Sequence, residues 1–88
     1  MAEHLEPILR RPRVEEATGL SRSSLYFRIS QGLFPKSFLI GTRSVGWGAS
    51  EVSAVNAARI AGKTDDEIRA LVTKLHTARR ADAPGGRL

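Results

Sequence analysis

Apolar residues recur at helical spacing in four segments of the 88-residue chain. The first segment contains Val14 and ends at Gly19, because glycine readily adopts the left-handed backbone that stops a helix. In the second, Leu25 and Ile29 lie four residues apart on one face, and Ser21 can cap the N-terminus. Two short helices joined by a Gly-Leu-Ser turn are therefore predicted, which is the helix-turn-helix arrangement.

The segment after the second helix has the pattern of a small hairpin. Short apolar runs at 38–40 and 45–47 predict two strands, and residues 41–44 predict the turn between them. A two-stranded hairpin is only marginally stable alone, so we expect Trp47 to anchor it on the helices. A third helix is expected from a cap at Ser50 to about residue 61.

A fourth, amphipathic helix is predicted to end at about residue 80. Thr64 and Glu67 have the spacing of a capping box at its start. Its apolar stripe consists of Ile68, Leu71, Val72 and Leu75. This stripe packs either on the domain or on a second copy, which leaves a homodimer or a cooperative array through residues 64–80 open.

The predicted fold class is mainly α with a small β-hairpin wing. We expect a flexible leader over residues 1–7, a winged helix-turn-helix domain over 8–62, the C-terminal amphipathic helix over 63–80 and a disordered tail over 81–88. One domain is all that a chain of this length supports.

Charge points to a polyanionic partner. The chain has 14 Lys+Arg against 9 Asp+Glu, a net charge of +5. Residues 8–50 hold seven basic and two acidic residues, so this stretch carries the whole excess. There is no cysteine, no apolar run long enough to span a membrane and no signal-peptide pattern. We therefore expect a cytoplasmic, nucleoid-associated protein with no membrane partner.

The second helix carries the candidate DNA-binding residues. With Leu25 and Ile29 inward, the opposite face can offer short hydroxyls and a tyrosine to bases and phosphates. Arg22 is in the first turn, and its long side chain can offer a guanidinium fork to guanine or to a phosphate. Arg28 falls about 60° from Leu25 on the helical wheel, on the flank of the buried face. An exposed Phe27 can contact a thymine methyl, face a protein, or turn into the core. The candidates on this helix are Ser21, Arg22, Ser23, Tyr26, Phe27 and Arg28.

Two further basic residues complete the candidate site. Arg43 lies at the predicted hairpin tip, where a positive charge suits phosphate or minor-groove contact. Lys36 contributes to the general positive field that faces phosphate.

No enzyme site is predicted. His4 and His76 are far apart in sequence, and no metal-ligand spacing or activated serine occurs. His76 is expected to be a surface residue. No Gly-rich phosphate-binding loop is present. We therefore expect no cofactor, no metal and no small-molecule substrate.

The stretches TGLSRSSLY, QGLFPK, IGTRSVGW and SEVSAVNAARIAG together resemble the AlpA family of prophage regulators. The likeness covers about residues 8–62. It implies a MerR/excisionase-like winged helix-turn-helix fold and a bacterial or phage-encoded regulator that binds double-stranded DNA. By position it implies that Ser21, Arg22, Ser23 and Tyr26 lie on the recognition helix and Arg43 on the wing.

The chain departs from this family pattern at three places. The family usually has a basic residue at the position of Phe27 and an apolar one at the position of Arg28. It often has Trp-Leu where Val55 and Asn56 occur, so the third helix is expected to pack less well. The fourth helix could compensate for that loss.

Three functions are consistent with the sequence. The first is a sequence-specific DNA-binding transcriptional regulator of a prophage or integrated element, with residues 21–31 in the major groove and the wing, 38–47, on the flanking backbone or minor groove. The second is an excisionase-like factor whose output is DNA bending. The third is a protein-interaction module that uses the Phe27 face and the C-terminal helix.

Overall fold

The computed structural model describes residues 6–82, with side chains described through Arg80. Seven elements follow one another along this part of the chain. They are β1 (Ile8–Leu9), α1 (Arg11–Thr18), α2 (Arg22–Ser30), β2 (Phe38–Leu39), β3 (Val45–Gly48), α3 (Ala49–Ile60) and α4 (Asp65–Asp82). The fold is mainly helical with a small three-stranded antiparallel sheet, an arrangement compatible with a winged helix.

The first two helices begin and end as the sequence predicts. Gly19 adopts a left-handed backbone with φ of 75°, and its N–H donates to the Glu15 carbonyl oxygen at 2.8 Å. The Ser21 hydroxyl oxygen accepts a hydrogen bond from the Ser24 N–H at 3.2 Å, which confirms the N-cap of α2. Leu25 is fully buried and Ile29 packs against the core, so these two residues fix the inward face of α2.

The sheet contains one strand more than the predicted hairpin. Its order is β1-β3-β2, with β3 in the centre. Phe38 is paired with Gly46 in the hairpin, and Ile8 is paired with Gly48 on the other side. A Cβ on Gly46 would lie 2.6 Å from the Ile40 side chain and 2.7 Å from Ile8. Glycine therefore lets the two outer strands close over β3, and β1 relieves the marginal stability of the hairpin.

The predicted Ser50 cap of α3 is wrong. Gly48 is the N-cap and α3 starts at Ala49, so Ser50 lies inside the first turn. The Glu6 carboxylate satisfies this helix end instead, because its Oε2 accepts from the Ser50 N–H at 2.8 Å and from the Ser50 hydroxyl at 2.5 Å. Pro7 accepts from the Ala49 N–H at 2.9 Å. Residues 6 and 7 of the expected leader are thus docked, and residues 1–5 lie outside the described part.

Trp47 anchors the sheet on the helices, as predicted. Its side chain is fully buried and its ring meets Phe34 edge-on, with 6.5 Å between ring centroids. Its indole N–H donates to the Pro35 carbonyl oxygen at 2.8 Å, so burial leaves no unpaired donor on the ring. The rest of the core comes from all four helices and the segment after α2: Val14, Leu25, Leu33, Val52, Val55, Ile68 and Val72.

Helix α4 completes the core from one side. The Thr64–Glu67 capping box is confirmed, because each residue's backbone N–H donates to the other's side chain, at 2.8 and 3.1 Å. The hydrogen bond that the Thr64 N–H donates to the Glu67 carboxylate holds the pKa of this carboxyl below its ordinary value. Ile68 and Val72 are buried against the domain, so the apolar stripe is used within the chain. Association through residues 64–80 stays a prediction, and so does a disordered tail, most of which lies outside the described residues.

Candidate nucleic-acid interface

The orientation of α2 decides which side chains face outward. Leu25 and Ile29 point inward, and Ser23 and Tyr26 are exposed. Arg22 is exposed at the first position of the helix. Ser21 is also exposed, and its hydroxyl lies 3.0 Å from that of Ser24. The helix therefore presents short hydroxyls, one arginine and one tyrosine on a continuous surface.

Phe27 and Arg28 have different environments, which the sequence left open. Phe27 is 63% exposed, so it belongs to the outward surface rather than to the core. Arg28 is half-buried on the flank of α2, where it lines the same pockets as Arg59 of α3. The helical wheel is correct here because the Leu25 direction dominates the packing of this short helix.

The hairpin tip lies in the turn between β2 and β3. The Ile40 N–H donates to the Ser44 carbonyl oxygen at 2.8 Å and closes this turn. Arg43, between them, is exposed. Leu39 and Ile40 are also exposed, at 71% and 41%, so apolar side chains accompany the positive charge on the hairpin.

Lys36 combines a fixed backbone with an exposed side chain. Its N–H donates to His76 Nε2 at 3.1 Å, and its carbonyl oxygen accepts from Arg79 Nη2 at 2.7 Å. Both partners belong to α4. The last helix therefore holds the segment between α2 and the β2–β3 hairpin, a contact that no local pattern in the sequence indicated.

Arg79 is the centre of this support. It makes a bidentate ion pair with Glu51 of α3, with Nε–Oε2 and Nη2–Oε1 distances of 2.7 and 2.6 Å. Its guanidinium also lies 5.2 Å from the centroid of the Phe38 ring, within range of a cation–π interaction. One side chain thus joins α3, the segment before β2 and β2 itself.

Arg69 supports the end of α2 in the same way. Its Nε donates to the Gln31 carbonyl oxygen at 2.8 Å, one of the acceptors left free where a helix ends. Sequence reasoning missed Arg69 and Arg79. At 100° per residue, Arg79 falls about 20° from Ile68, within the apolar stripe of α4, and this position was a signal that its side chain faces the domain. Arg69 falls about 100° from Ile68 and carried no specific signal.

The expectation that His76 is simply a surface residue is wrong. The side chain is half-buried, and its Nε2 accepts the hydrogen bond from Lys36, so the ring is neutral at that nitrogen. Burial, and secondarily the positive charge of Arg79, hold the pKa of His76 below its ordinary value of 6.5.

The candidate surface differs from the rest of the molecule in its lack of acidic residues and ion pairs. No Asp or Glu lies between Glu16 and Glu51, although this stretch contains Arg22, Arg28, Lys36 and Arg43. Within the described residues, none of these four forms a salt bridge. The ion pairs instead lie within α1, near the α3–α4 junction, in the first turn of α4 and between α3 and α4.

Neither a membrane-spanning helix nor a metal-binding cluster occurs within residues 6–82. No helix in this range is long and apolar enough to cross a bilayer. Within the same range, no three His, Cys, Asp or Glu side chains gather as they would around a metal ion.

Comparison with known proteins assigns this chain to a family. A family model described as prophage CP4-57 regulatory protein (AlpA) matches residues 7–59. A protein of Enterobacteria phage P4, described as uncharacterized protein ORF88, is 47% identical over 58 residues. That match covers 66% of each chain, just under two thirds of the relative's length. No solved structure matches. Because the family model spans β1 to the end of α3, more than half of the chain, this protein belongs to the AlpA family of prophage regulatory proteins.

Proposed function

We propose that this protein is a sequence-specific transcriptional regulator of a prophage or integrated element that binds double-stranded DNA. Its fold is then a winged helix-turn-helix of the MerR/excisionase-like kind, with the β2–β3 hairpin as the wing and α4 as an addition. Such a regulator acts in the cytoplasm at the bacterial nucleoid and performs no catalysis.

The absence of acidic residues from 17 to 50 is the observation that carries this proposal. In a domain of this size, exposed arginines commonly pair with nearby carboxylates. Here Arg22 and Arg43 are exposed and form no ion pair within residues 6–80. Their charges remain available to an external polyanion, and the family's regulatory description favours DNA as that polyanion.

The exposed face of α2 suits the major groove. Ser21 and Ser23 are short enough to let the helix backbone approach the bases. Arg22, in the first turn, can donate two hydrogen bonds to guanine or bind a phosphate, and Tyr26 can donate to a phosphate while its ring covers a sugar. We propose that α2 is the recognition helix on these grounds.

The wing then contacts the DNA beside α2. Arg43 reaches the flanking backbone or the minor groove, and Lys36 adds a phosphate contact from a backbone fixed by α4. Phe27 meets a thymine methyl at the edge of the groove, whereas the half-buried Arg28 contributes charge from the side.

A second candidate function is DNA bending by an excisionase-like factor. The exposed Leu39 and Ile40 beside Arg43 support it, because apolar side chains inserted at a minor-groove step kink the duplex. Bending would be measured by the mobility of fragments that carry the site at their centre or at their end. A difference in mobility supports the bending function, and equal mobility contradicts it.

The main proposal is tested by DNA binding with salt as a variable. A duplex selected from a random library is compared with a random duplex of equal length between about 50 and 200 mM salt. We expect affinity for both to fall steeply with salt and the selected duplex to keep an advantage of at least about 10³-fold.

Arg22→Ala should weaken binding to the selected duplex about 5- to 150-fold, which corresponds to about 1–3 kcal/mol. Arg43→Ala should lower the salt slope by about one and weaken both duplexes alike. Lys74→Ala, an exposed position on α4, is the matched control and should leave binding unchanged. Intact binding by both arginine variants would refute this docking, and no salt-dependent binding at all would favour the protein-interaction module.

A further inference from the structure

The segment that joins α2 to the β2–β3 hairpin, residues 31–37, contains no helix or strand. Its backbone groups cannot pair within a helix or a sheet, so other elements must bind them. Side chains of α4 make three of these hydrogen bonds: Arg69 to the Gln31 carbonyl oxygen at 2.8 Å, His76 from the Lys36 N–H at 3.1 Å, and Arg79 to the Lys36 carbonyl oxygen at 2.7 Å. Helix α4 thus holds both ends of this connection, although it lies beyond the residues that the family model matches.

Arg79 is the α4 side chain that also reaches the hairpin itself. Its guanidinium lies 5.2 Å from the centroid of the Phe38 ring in β2. The cross-strand partner of Phe38 is Gly46, which has no side chain to pack against that ring. An open groove of about 570 Å³ lies between Leu75 of α4 and Ile8 of β1. Apolar packing between α4 and this face of the sheet is therefore incomplete, and the guanidinium bridges the gap.

The Arg79 side chain is itself firmly anchored. Its Nε and Nη2 donate to both carboxylate oxygens of Glu51, which is in the first turn of α3 and only 11% exposed. Nη2 carries two hydrogens, so it also donates to the Lys36 carbonyl oxygen. A planar guanidinium can bind these acceptors and lie against a ring at the same time, whereas the ammonium of a lysine is a single point charge. One rigid side chain therefore fixes the first strand of the hairpin relative to α3.

We propose that Arg79 is a positioning residue for DNA binding. It does not touch DNA, but it sets where the β2–β3 hairpin, with Arg43 in its turn, lies relative to α2. This inference rests on the proposed function, in which α2 and the hairpin bind the same duplex. A helix in the major groove and a contact on the flanking backbone must match the fixed spacing of the duplex. A displaced hairpin therefore loses the Arg43 contact while α2 stays in its groove.

Arg79→Lys tests this geometry in the absence of DNA. The lysine keeps a positive charge beside Glu51, but it cannot also bind the Lys36 carbonyl oxygen and cover the Phe38 ring. Residual dipolar couplings of backbone amides in the full ¹⁵N-labelled chain report the orientation of the hairpin relative to α2. We expect the couplings of residues 38–48 to change, while those of α2 and α3 keep their mutual orientation.

Thr64→Ala is the matched control for this measurement. It weakens the start of α4, far along the helix from Arg79, and leaves the contacts of Arg79 in place. The hairpin couplings of this variant should equal those of the unchanged protein.

A double-mutant cycle tests the consequence for DNA binding. In the unchanged chain, Arg43→Ala should weaken binding to the selected duplex about fivefold at about 150 mM salt, the loss of one phosphate contact. In the Arg79→Lys background it should weaken binding by less than about twofold, because that contact is already lost. Arg22→Ala should keep its full effect there, since α2 is not displaced. In the Thr64→Ala background both arginine substitutions should keep their full effects.

Three outcomes would overturn the proposal: unchanged hairpin couplings in Arg79→Lys, a full effect of Arg43→Ala in that background, or an equal loss of the Arg22→Ala and Arg43→Ala effects. The last outcome would show a general disturbance of the domain rather than a displaced hairpin. If the unchanged protein binds no DNA, the proposed function fails and the role of Arg79 in DNA binding fails with it. If it binds DNA and the couplings do not change, the positioning role alone fails, so the two failures are distinguishable.

Discussion

Arginines in α4 and arginines around α2 occupy contrasting environments. Arg69 and Arg79 bind carbonyl and carboxylate oxygens of other elements, and Arg79 is largely covered by them. Arg22 and Arg43 are exposed and have no salt bridge within residues 6–80. The same side chain therefore stabilises the fold in one region and is left available for a partner in the other.

The distribution of acidic residues produces this difference. Glu51 lies opposite Arg79, and Asp66 lies 3.3 Å from Arg69 Nη1. The acid-free stretch offers no such partner to Arg22 or Arg43. The charges of Arg69 and Arg79 are therefore paired with carboxylates of the fold itself. Substitutions of Arg22 or Arg43 should consequently lower DNA binding without lowering stability.

The largest expected effect on stability comes from Arg79→Ala. The substitution leaves the Glu51 carboxylate, which is only 11% exposed, without its partner, and it removes the hydrogen bond to the Lys36 carbonyl. We expect the free energy of unfolding to fall by about 2–4 kcal/mol, measured by urea denaturation. Arg22→Ala is the matched control and should change it by less than about 0.5 kcal/mol. Equal losses of unfolding free energy in the two variants would show that Arg79 is no more important to the fold than the exposed Arg22.

Thr64→Ala, at the start of α4, is expected to lower the free energy of unfolding by a smaller amount. It removes the hydroxyl that accepts from the Glu67 N–H, half of the capping box. The cost should be about 1 kcal/mol in the same denaturation measurement. Thr77→Ala is the control, because its hydroxyl only donates to the Thr73 carbonyl oxygen within the helix. If Thr77→Ala lowers the free energy of unfolding as much as Thr64→Ala does, the capping box does not stabilise the N-terminus of α4.

The smallest expected effect is a dependence of stability on pH that arises from His76. Its pKa is lower in the folded protein than the ordinary 6.5, so the folded state favours the neutral ring. Its contribution to stability is complete above about pH 6.5 and is lost as the pH falls through this value and then through the lower folded pKa. Charges around the ring come from Arg79 on its own helix, Glu51 on α3 and Lys36 before β2.

His76→Gln tests this directly, because a glutamine oxygen can accept from the Lys36 N–H at any pH. The fall in Tm between about pH 7.5 and about pH 5.5 should be smaller in the variant than in the unchanged protein. Glu67 does not interfere, since its pKa lies below its ordinary value of 4.5. An unchanged or larger fall in the variant would show that another group is responsible.

Local signals in the sequence predicted the helices well. The Gly19 stop, the Ser21 cap and the Thr64–Glu67 box depend on residues within a few positions of one another, so each could be read from neighbours alone. The inward direction of α2 followed from Leu25 and Ile29 for the same reason. The candidate surface was predictable because, once the buried face of α2 is known, the residues on its exposed face are known as well.

Contacts between distant residues could not be read in this way. The pairing of β1 with β3, the role of Glu6 at the start of α3 and the α4 contacts to Lys36 each join residues about 40 positions apart. No local pattern encodes such a distance, since many polar side chains could have made the same bonds. The wrong cap at Ser50 is an example, because a good local cap was overridden by a carboxylate arriving from residue 6.

The sequence by itself determined the two short helices α1 and α2, the hairpin, the amphipathic fourth helix and the acid-free basic stretch, because each depends on composition or short-range spacing. Only the tertiary structure decided that Phe27 faces outward while Arg28 turns to the flank, that Arg79 is used inside the fold, and that a pocket opens beside Arg59. Packing against distant elements fixes which charges are neutralised and which cavities remain, and that information exists only once the chain is folded.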